Sequence, residues 1–207
     1  MLQVQKISRE VQAKLADDPS ETTRRAPSEG EIKAYLQGAL HDASLNKGRR
    51  YRFTQSDRRW LEMLQQLLQI IGHRSWIYKE GKDRNVFTLE TLASFLDFQF
   101  DPIGLSDIKE KLAYVRGFFD AEGGIPRKEN AVFYIQLVQK NKPKLERLTE
   151  ILSEVGIDCG KIHNPSVRVD PDYWRFFITT RSHKEFARLV GSWHLRKDAI
   201  FKRRMVI

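Results

Sequence analysis

Two stretches of this sequence place carboxylates near the end of a series of small residues that are spaced for a helix. Asp120 and Glu122 lie at the end of one stretch, and Asp42 lies at the end of the other. Small residues four positions apart share one helix face, along which a second backbone can approach closely. They are Ala34 and Gly38 in the first stretch and Ala113, Gly117 and Ala121 in the second. Carboxylates at the adjoining ends of two packed helices repel each other unless a cation lies between them. We therefore expect a site for Mg²⁺, or another divalent cation such as Mn²⁺, over a phosphate.

These stretches belong to an internal repeat. Residues 34–44 align with residues 113–123, at the offset of 79 that separates Gly38 from Gly117. A second matching pair is an apolar stripe that steps by three or four residues and ends in glycine, which predicts an amphipathic helix in each half. The stripes are Leu61, Leu64, Leu68 and Ile71 before Gly72, and Leu145, Leu148, Leu152 and Val155 before Gly156.

Segments of β-prone residues separate the predicted helices. They are residues 49–55, 75–78 and 85–89 in the first half and 132–138, 161–163, 167–169 and 174–179 in the second. A further helix is predicted to close each half, around residues 92–98 and 183–190. The pattern predicts an α+β fold of tandem αββαββα repeats with pseudo-twofold symmetry about a central two-helix interface.

Three parts of the chain are predicted: an N-terminal tail or linker over residues 1–27, a first repeat over 28–104 and a second repeat over 105–207. The tail is polar and ends at a proline. Ser28 and Glu31 then form the pattern of a capping box, so helical order is predicted to begin there. The basic residues at 196–197 and 202–204 are predicted to contact a nucleic-acid backbone or to be unstructured.

The composition describes a basic globular protein. The 207 residues carry 36 Lys and Arg against 27 Asp and Glu, a net charge of +9, which favours a polyanionic partner over a merely solvated basic surface. The single cysteine excludes a Cys-rich zinc module. No apolar run approaches the roughly 20 residues of a membrane span, and the N-terminus lacks the apolar core of a signal peptide. We expect an intracellular protein that has no membrane contact.

Residues 112–124 carry a resemblance to a known family. Their sequence, LAYVRGFFDAEGG, resembles the signature helix of the LAGLIDADG homing endonucleases. Two copies in one chain resemble the single-chain members of that family over residues 31–200. The resemblance implies that a saddle-shaped antiparallel sheet in each half binds double-stranded DNA and that the penultimate acid of each motif binds metal in a shared site, where both strands are cut. It makes Glu122 the metal-binding acid of the second half.

The first motif departs from this pattern. Glu122 lies five residues after Gly117. The residue five after Gly38 is Ala43, and the nearest carboxylate, Asp42, lies one residue earlier. On a regular helix that difference is about 100° of rotation and about 1.5 Å of rise. Two alternatives follow: a local irregularity at the helix end turns Asp42 towards the cleft, or the first half has lost its ligand.

The family also implies polar residues near the metals, at the ends of the first hairpin strands. The matching residues are Gln139 and Lys140 in the second half and Gln55 and Ser56 in the first. Lys140 therefore has no basic counterpart. Two other polar residues of the motif helices, His41 and Asp120, are interpreted as structural rather than as a general base and a metal ligand.

The strands are expected to present basic residues to DNA by alternation. Within residues 50–54 the arginines and Thr54 point to one face, while Tyr51 and Phe53 point to the other. An arginine on a β-ribbon can bind guanine or phosphate. The predicted DNA-binding residues are Arg50, Arg52, Thr54, Lys79, Lys82, Arg84, Arg127, Lys128, Lys161, Arg168 and Arg175.

Two functions remain open at this point. The first is a metal-dependent, site-specific endonuclease for double-stranded DNA, a monomer that needs no obligate protein partner. The second is a binding protein on the same fold, a maturase or regulator that recognises DNA or intron RNA and has lost cleavage. Glu122 and Lys140 favour the first function, whereas Ala43 and Ser56 favour the second.

Overall fold

The computed structural model describes residues 26–205. The predicted tail, residues 1–27, lies outside the described residues except for its last two. Helical order begins where the sequence predicts it. The Ser28 hydroxyl accepts a hydrogen bond from the Glu31 N–H at 3.1 Å, and the Glu31 carboxylate accepts one from the Ser28 N–H at 2.6 Å. The predicted capping box is therefore confirmed.

The described residues form six α-helices and seven strands. The helices are α1 (Glu29–Ala39), α2 (Arg58–Ile70), α3 (Ile108–Glu122), α4 (Lys142–Glu154), α5 (His183–Leu189) and α6 (Leu195–Met205). The strands are β1 (Ala43–Asn46), β2 (Arg50–Gln55), β3 (Ser75–Lys79), β4 (Phe87–Thr91), β5 (Gly123–Gly124), β6 (Gln136–Gln139) and β7 (Trp174–Phe177). Within residues 26–205, none of the helices is both long and apolar enough to cross a membrane.

The strands form two antiparallel sheets, as predicted. The strand order is β1-β2-β4-β3 in the first sheet and β5-β6-β7 in the second. Helix α2 packs against the first sheet and α4 against the second. Both are the amphipathic helices that the repeated apolar stripes predict, and Phe53 and Leu137 are buried between sheet and helix. Each half thus has a covered sheet face and an opposite face left for solvent or a partner.

Helices α1 and α3 cross at two glycines in the centre of the molecule. A Cβ atom on Gly38 would lie 2.0 Å from the backbone oxygen of Tyr114, and one on Gly117 would lie 2.0 Å from the backbone oxygen of Tyr35. Both contacts are related by the repeat offset, so the crossing is pseudo-symmetric. The other small residues predicted at this interface are Ala34 and Ala113, which are buried, and Ala121, which is half-buried.

Replacing Gly117 by alanine is expected to destabilise the protein by about 3 kcal/mol, the upper end of the usual cost of overpacking, because the added methyl meets backbone rather than a movable side chain. Thermal or denaturant unfolding measures the loss. Gly104→Ala is the matched control, since its added Cβ would meet nothing within 4 Å. Equal stability of the two variants would show that the crossing is wrongly placed.

The segment predicted to close the first half, residues 92–98, is not helical and forms turns. Its backbone groups bond to side chains of neighbouring elements instead. The Asp97 N–H donates to Gln37 Oε1 at 3.1 Å, and Gln37 Nε2 donates to the Asp97 carbonyl. The Tyr51 hydroxyl donates to the Leu96 carbonyl. The helix prediction is wrong because these tertiary bonds satisfy groups that a helix would pair internally.

The second half departs from the predicted strands over residues 161–163 and 167–169, which form turns and a single bridge. Asn164 organises this loop, since its Nδ2 donates to the carbonyl of Asp170 at 2.9 Å. Pro165 has no N–H to contribute to a strand ladder. The closing helix of this half, in contrast, is confirmed as α5.

The basic C-terminal segment is helix α6, so of its two predicted alternatives the unstructured end is wrong. Its apolar residues Ile200, Phe201 and Met205 are buried in the core. Their spacing places them on one face of the helix. Because this apolar stripe is short and lies among basic residues, the sequence pattern did not predict a helix here.

Candidate active site

The end of α1 is irregular in a way that compensates for the missing residue of the first motif. Helix α1 stops at Ala39, and Leu40–Asp42 form a 3₁₀ turn. A 3₁₀ turn rises about 2.0 Å per residue, against about 1.5 Å in an α-helix. One α-helical step and three 3₁₀ steps separate Gly38 from Asp42, and together they rise about 7.5 Å. The five α-helical steps from Gly117 to Glu122 in α3 rise by the same distance. Of the two alternatives, the structure has the local irregularity.

The rotation about the helix axis is also largely recovered. A 3₁₀ step turns about 120° about the helix axis and an α-helical step about 100°. Counted from the glycine of each motif, the directions of Asp42 and Glu122 therefore differ by about 40°, whereas on a regular α-helix they would differ by about 100°. Each carboxylate also directly precedes the first strand of its half, since Ala43 begins β1 and Gly123 begins β5. Asp42 therefore occupies the structural position that corresponds to Glu122.

Asp42 and Glu122 interact electrostatically. Burial raises the pKa of Asp42 to about 6, although a hydrogen bond from Gln55 opposes the shift. Burial and then the negative charge of Asp42 raise the pKa of Glu122 to about 7. Both half-buried carboxylates lie within five residues of the glycines at which α1 and α3 cross. The charge of Lys197 lowers the pKa of each of them, so two carboxylates and one buried ammonium act on one another at these helix ends.

These shifts predict a pH-dependent stability for the metal-free protein. Both folded-state pKa values, about 6 and about 7, are raised, so the stability they contribute is complete below the unfolded pKa values, near 4, and is lost as pH rises through 6 to 7. We expect wild type to lose stability relative to the variant with Asp42→Asn and Glu122→Gln as pH rises from about 5 to about 8. Thermal unfolding in a chelator measures the difference. Parallel pH profiles would contradict the raised pKa values of the two carboxyl groups.

A buried lysine holds the end of α3. Lys197, on α6, is 2% exposed, and its Nζ donates to the carbonyls of Phe119, Asp120 at 3.0 Å and Gly123 at 2.7 Å. Carbonyls at a helix end have no partner within the helix, so the ammonium fixes the turn that carries Glu122. Burial lowers the pKa of Lys197 to about 8, and the charge of Asp120 opposes the shift.

Lys197 is not among the residues predicted from the sequence for this site. The signal that could have found it is helical spacing, since Lys197 precedes Ile200 and Phe201 by three and four residues and so shares their buried face. That spacing has meaning only once the segment is known to be a helix.

His41 and Asp120 occupy corresponding positions and brace the helix crossing. The Asp120 carboxylate is buried and accepts from the Tyr35 hydroxyl at 2.7 Å and from two backbone N–H groups of the loop before α6, at 2.8 and 3.1 Å. His41 Nε2 lies 2.6 Å from the Tyr114 hydroxyl, and burial lowers the pKa of His41 to about 3. The geometry agrees with a structural interpretation of both residues.

The polar residues predicted near the metals divide into two groups. Gln55 Nε2, at the end of β2, donates to Asp42 Oδ2 and orients that carboxylate. Gln139 Oε1 accepts from the backbone N–H of Lys140 at 2.7 Å, and the Lys140 side chain is exposed at the end of β6. No group of three or more His, Cys, Asp or Glu side chains in the described part of the chain is placed to hold a metal ion. A cation held by Asp42 and Glu122 would complete its coordination with other oxygen ligands, such as amide or backbone carbonyls, water or a phosphate.

The first sheet presents Arg50, Arg52 and Thr54 on the face opposite to its buried side, as the alternation predicts. Arg52 pairs across the strands with Glu90 on β4. Glu90 contacts four side chains of this face, and we call the five residues the Glu90 cluster: Glu90, Asn46, Arg50, Arg52 and Tyr78. Sequence reasoning missed Glu90, because the strand register that places it beside the arginines cannot be read from the sequence pattern.

The other predicted DNA-binding residues lie on turns and on the second sheet. Exposed at strand ends and turns are Lys79, Lys82, Arg84, Arg127 and Lys128. Lys161 and Arg168 are also exposed, but they lie on the loop before β7 and not on strands, which corrects the prediction. Arg175, on β7, donates through Nε to His163 Nε2 at 3.3 Å.

Comparison with known proteins gives one family and several similar chains. Residues 32–98 and 109–191 match the LAGLIDADG-like domain family. The homing endonuclease I-ApeI of Aeropyrum pernix is 28% identical over 190 residues, which cover 80% of this chain and 83% of that protein. Both matched segments of the family fall on the two repeats.

Solved structures share the fold at low sequence identity. Mesophilic variants of the homing endonuclease I-DmoI match with a TM-score of 0.65 and 20% identity, over 86% of this chain and 100% of that chain. The full-length DUF199/WhiA protein from Thermatoga maritima matches with a TM-score of 0.63 and 18% identity, over 96% of this chain and 66% of that chain. The two-repeat architecture is therefore found in other proteins as well.

Proposed function

Because this chain belongs to the LAGLIDADG-like domain family, we propose that it is a site-specific endonuclease that hydrolyses double-stranded DNA with the help of a divalent cation. The observation that carries the proposal is that Asp42 and Glu122 each follow one of the two crossing helix segments and directly precede the first strand of their half. A homing endonuclease among the relatives supports the reaction. Structures of I-DmoI in complex with DNA and Mn, or with DNA and Ca, support the partner and the type of cation.

The donor set of the site fits Mg²⁺ or Mn²⁺. Asp42 and Glu122 offer hard anionic oxygen ligands, and Mg²⁺ in phosphate-transfer sites typically takes one or two carboxylates and completes its shell with water and phosphate oxygens. A bound cation would polarise the scissile phosphate and make the attacking water more acidic. Burial, and then the charge of Asp42, raise the pKa of Glu122 to about 7, so a cation that binds at neutral pH would displace the proton that this carboxyl partly holds.

Three other residues support the carboxylates in this proposal. Gln55 holds Asp42 through its amide, and Lys197 holds the turn that carries Glu122. Lys140, exposed at a strand end, is available to contact a phosphate or a water at the scissile bond. The protein thus supplies orientation and charge, which contribute most of the catalysis in phosphodiester hydrolysis of this kind.

Sequencing of cut ends tests the function directly. Purified protein is incubated with a plasmid library of randomised inserts and Mg²⁺, and the new DNA ends are sequenced. We expect a single enriched sequence cut in both strands, and no cutting in a chelator. A protein that leaves every library member intact at all Mg²⁺ and Mn²⁺ concentrations would contradict the endonuclease proposal.

Binding to duplex DNA is expected to weaken steeply with salt. Each neutralised phosphate contributes a slope of about −0.9 in log K against log salt. The double variant Lys82→Ala, Arg84→Ala is expected to flatten the slope by up to about 1.8, because both residues lie exposed in the turn between β3 and β4. The control is Lys33→Ala, on α1, where the lysine pairs with Glu29 at 2.6 Å. An affinity that is independent of salt would exclude a phosphate-binding surface.

The second candidate is a protein that binds DNA or intron RNA on this fold without cutting it. One observation favours it: the residue at the position matching Lys140 in the first half is Ser56, so the two halves are not chemically equivalent. In that case the library experiment enriches a bound sequence but produces no new ends.

A further inference from the structure

A carboxylate lies in the middle of the basic face of the first sheet. Glu90 is 2% exposed and pairs across the strands with Arg52 on β2 and with Trp76 on β3. It is covered by the side chains of this face and not by the core. A carboxylate here weakens the attraction of the face for phosphates, so its effect must be sought in the groups that it holds.

Both oxygens of Glu90 are engaged by the rest of the Glu90 cluster. Asn46 Nδ2 and the Tyr78 hydroxyl each donate to Oε1 at 3.0 Å, and Arg50 Nη1 donates to Oε2 at 3.2 Å. Arg52 Nε lies 3.3 Å from Oε1, and Arg52 Nη2 donates to the Tyr78 hydroxyl at 3.2 Å. Burial raises the pKa of Glu90, but the hydrogen bonds of Asn46, Tyr78 and Arg50 lower it below its ordinary value. The carboxylate is therefore ionised at neutral pH. It holds the Arg50 guanidinium by a hydrogen bond and the Arg52 guanidinium by an ion pair, in which the buried Arg52 Nε donates no hydrogen bond.

Glu90 restricts how these arginines can meet DNA. The Arg50 guanidinium is held between Glu90 and the ring of Trp76, with its central carbon 5.4 Å from the ring centroid. Only one of its five N–H donors is used by the carboxylate, so others stay available at its outer edge. A guanidinium fixed in this way loses little entropy on binding, and its charge is partly compensated. Fixed orientation favours bidentate contacts with a base edge, whereas compensated charge disfavours undirected contacts with phosphates.

We infer that Glu90 is a specificity-determining positioning residue, which holds Arg50 and Arg52 to read guanine in the major groove of duplex DNA instead of binding phosphates. The inference rests on the proposed function only in requiring that the protein binds a defined DNA sequence. It does not depend on cleavage.

The test compares Glu90→Gln with wild type in a chelator, so that no DNA is cut. Duplexes enriched from a random pool by wild type and a scrambled duplex of equal length serve as probes. We expect Glu90→Gln to bind the scrambled duplex more tightly, with a salt slope steeper by up to about 0.9, because a released arginine is free to bind a phosphate. The ratio of specific to scrambled affinity is expected to fall about tenfold, the size of one lost bidentate contact.

Glu80→Gln is the matched control. Glu80 accepts a hydrogen bond from Arg52 Nη2 at 3.3 Å and its side chain is 38% exposed, so this variant removes the same charge beside Arg52 but leaves Glu90 to hold Arg50. We expect it to keep the affinity ratio. A loss of ratio as large as that of Glu90→Gln would overturn the inference, because charge alone would then explain the effect.

A second variant covers the case in which Glu90→Gln does not fold, as judged by circular dichroism. Arg50→Lys keeps the charge on an exposed side chain but loses the planar fork. We expect unchanged affinity for the scrambled duplex and an affinity ratio about tenfold lower. An unchanged ratio in Arg50→Lys, or in a folded Glu90→Gln, overturns the inference while sequence-specific binding by wild type stands. A wild-type protein that enriches no sequence overturns the proposed function and the inference together.

Discussion

Replacing Glu122 by glutamine is expected to abolish DNA cleavage and to leave DNA binding intact or stronger. The glutamine keeps the size of the side chain but removes one of the two anionic ligands from the proposed cation site. Several kcal/mol of transition-state stabilisation depend on such an ion, so we expect cleavage of the enriched site to fall by about 1,000-fold or more. Binding does not need the ion, and the loss of a carboxylate that repels phosphate favours it.

The matched control is Glu110→Gln, which makes the same change in the first turn of the same helix, α3. Cleavage assays and binding assays on one target duplex separate the two effects. Glu122→Gln with wild-type cleavage would remove the active-site assignment. Equal loss in both variants would indicate damage to the helix and not to the site.

Much of the fold was predictable because it follows from short-range patterns. The spacing of Leu61, Leu64 and Leu68 fixes a helix face, and Ser28 with Glu31 fixes where the first helix begins. The small residues at Gly38 and Gly117 predict the closest approach of two helices, since a Cβ at either position meets backbone at 2.0 Å. These features depend on neighbours in sequence or on the absence of a side chain, and both can be read from the chain alone.

The rest of the site depends on tertiary contacts that have no local signature. The 3₁₀ turn at Asp42 changes the geometry by a fraction of a helical turn, and no residue type in Leu40–Asp42 marks it. Lys197 reads as one basic residue among several, yet it is 2% exposed and holds the end of α3. Glu90 lies beside Arg52 only through the register of β2 against β4. The sequence thus pointed to Glu122 and Gln55, but it left the position of Asp42 open and did not single out Lys197 or Glu90.

Replacing Asp42 by asparagine is expected to reduce cleavage as strongly as Glu122→Gln, by about 1,000-fold or more, because both carboxylates must contribute to one cation. The sharper test moves the acid instead of removing it. The double variant Asp42→Ala, Ala43→Asp restores the spacing of five residues after the glycine that Glu122 has. We expect no rescue, since Ala43 is already extended, with φ −106° and ψ 163°, and pairs with Phe53 as the first residue of β1. Cleavage restored in this variant, or full activity in Asp42→Asn, would show that the 3₁₀ turn does not deliver Asp42 to the site.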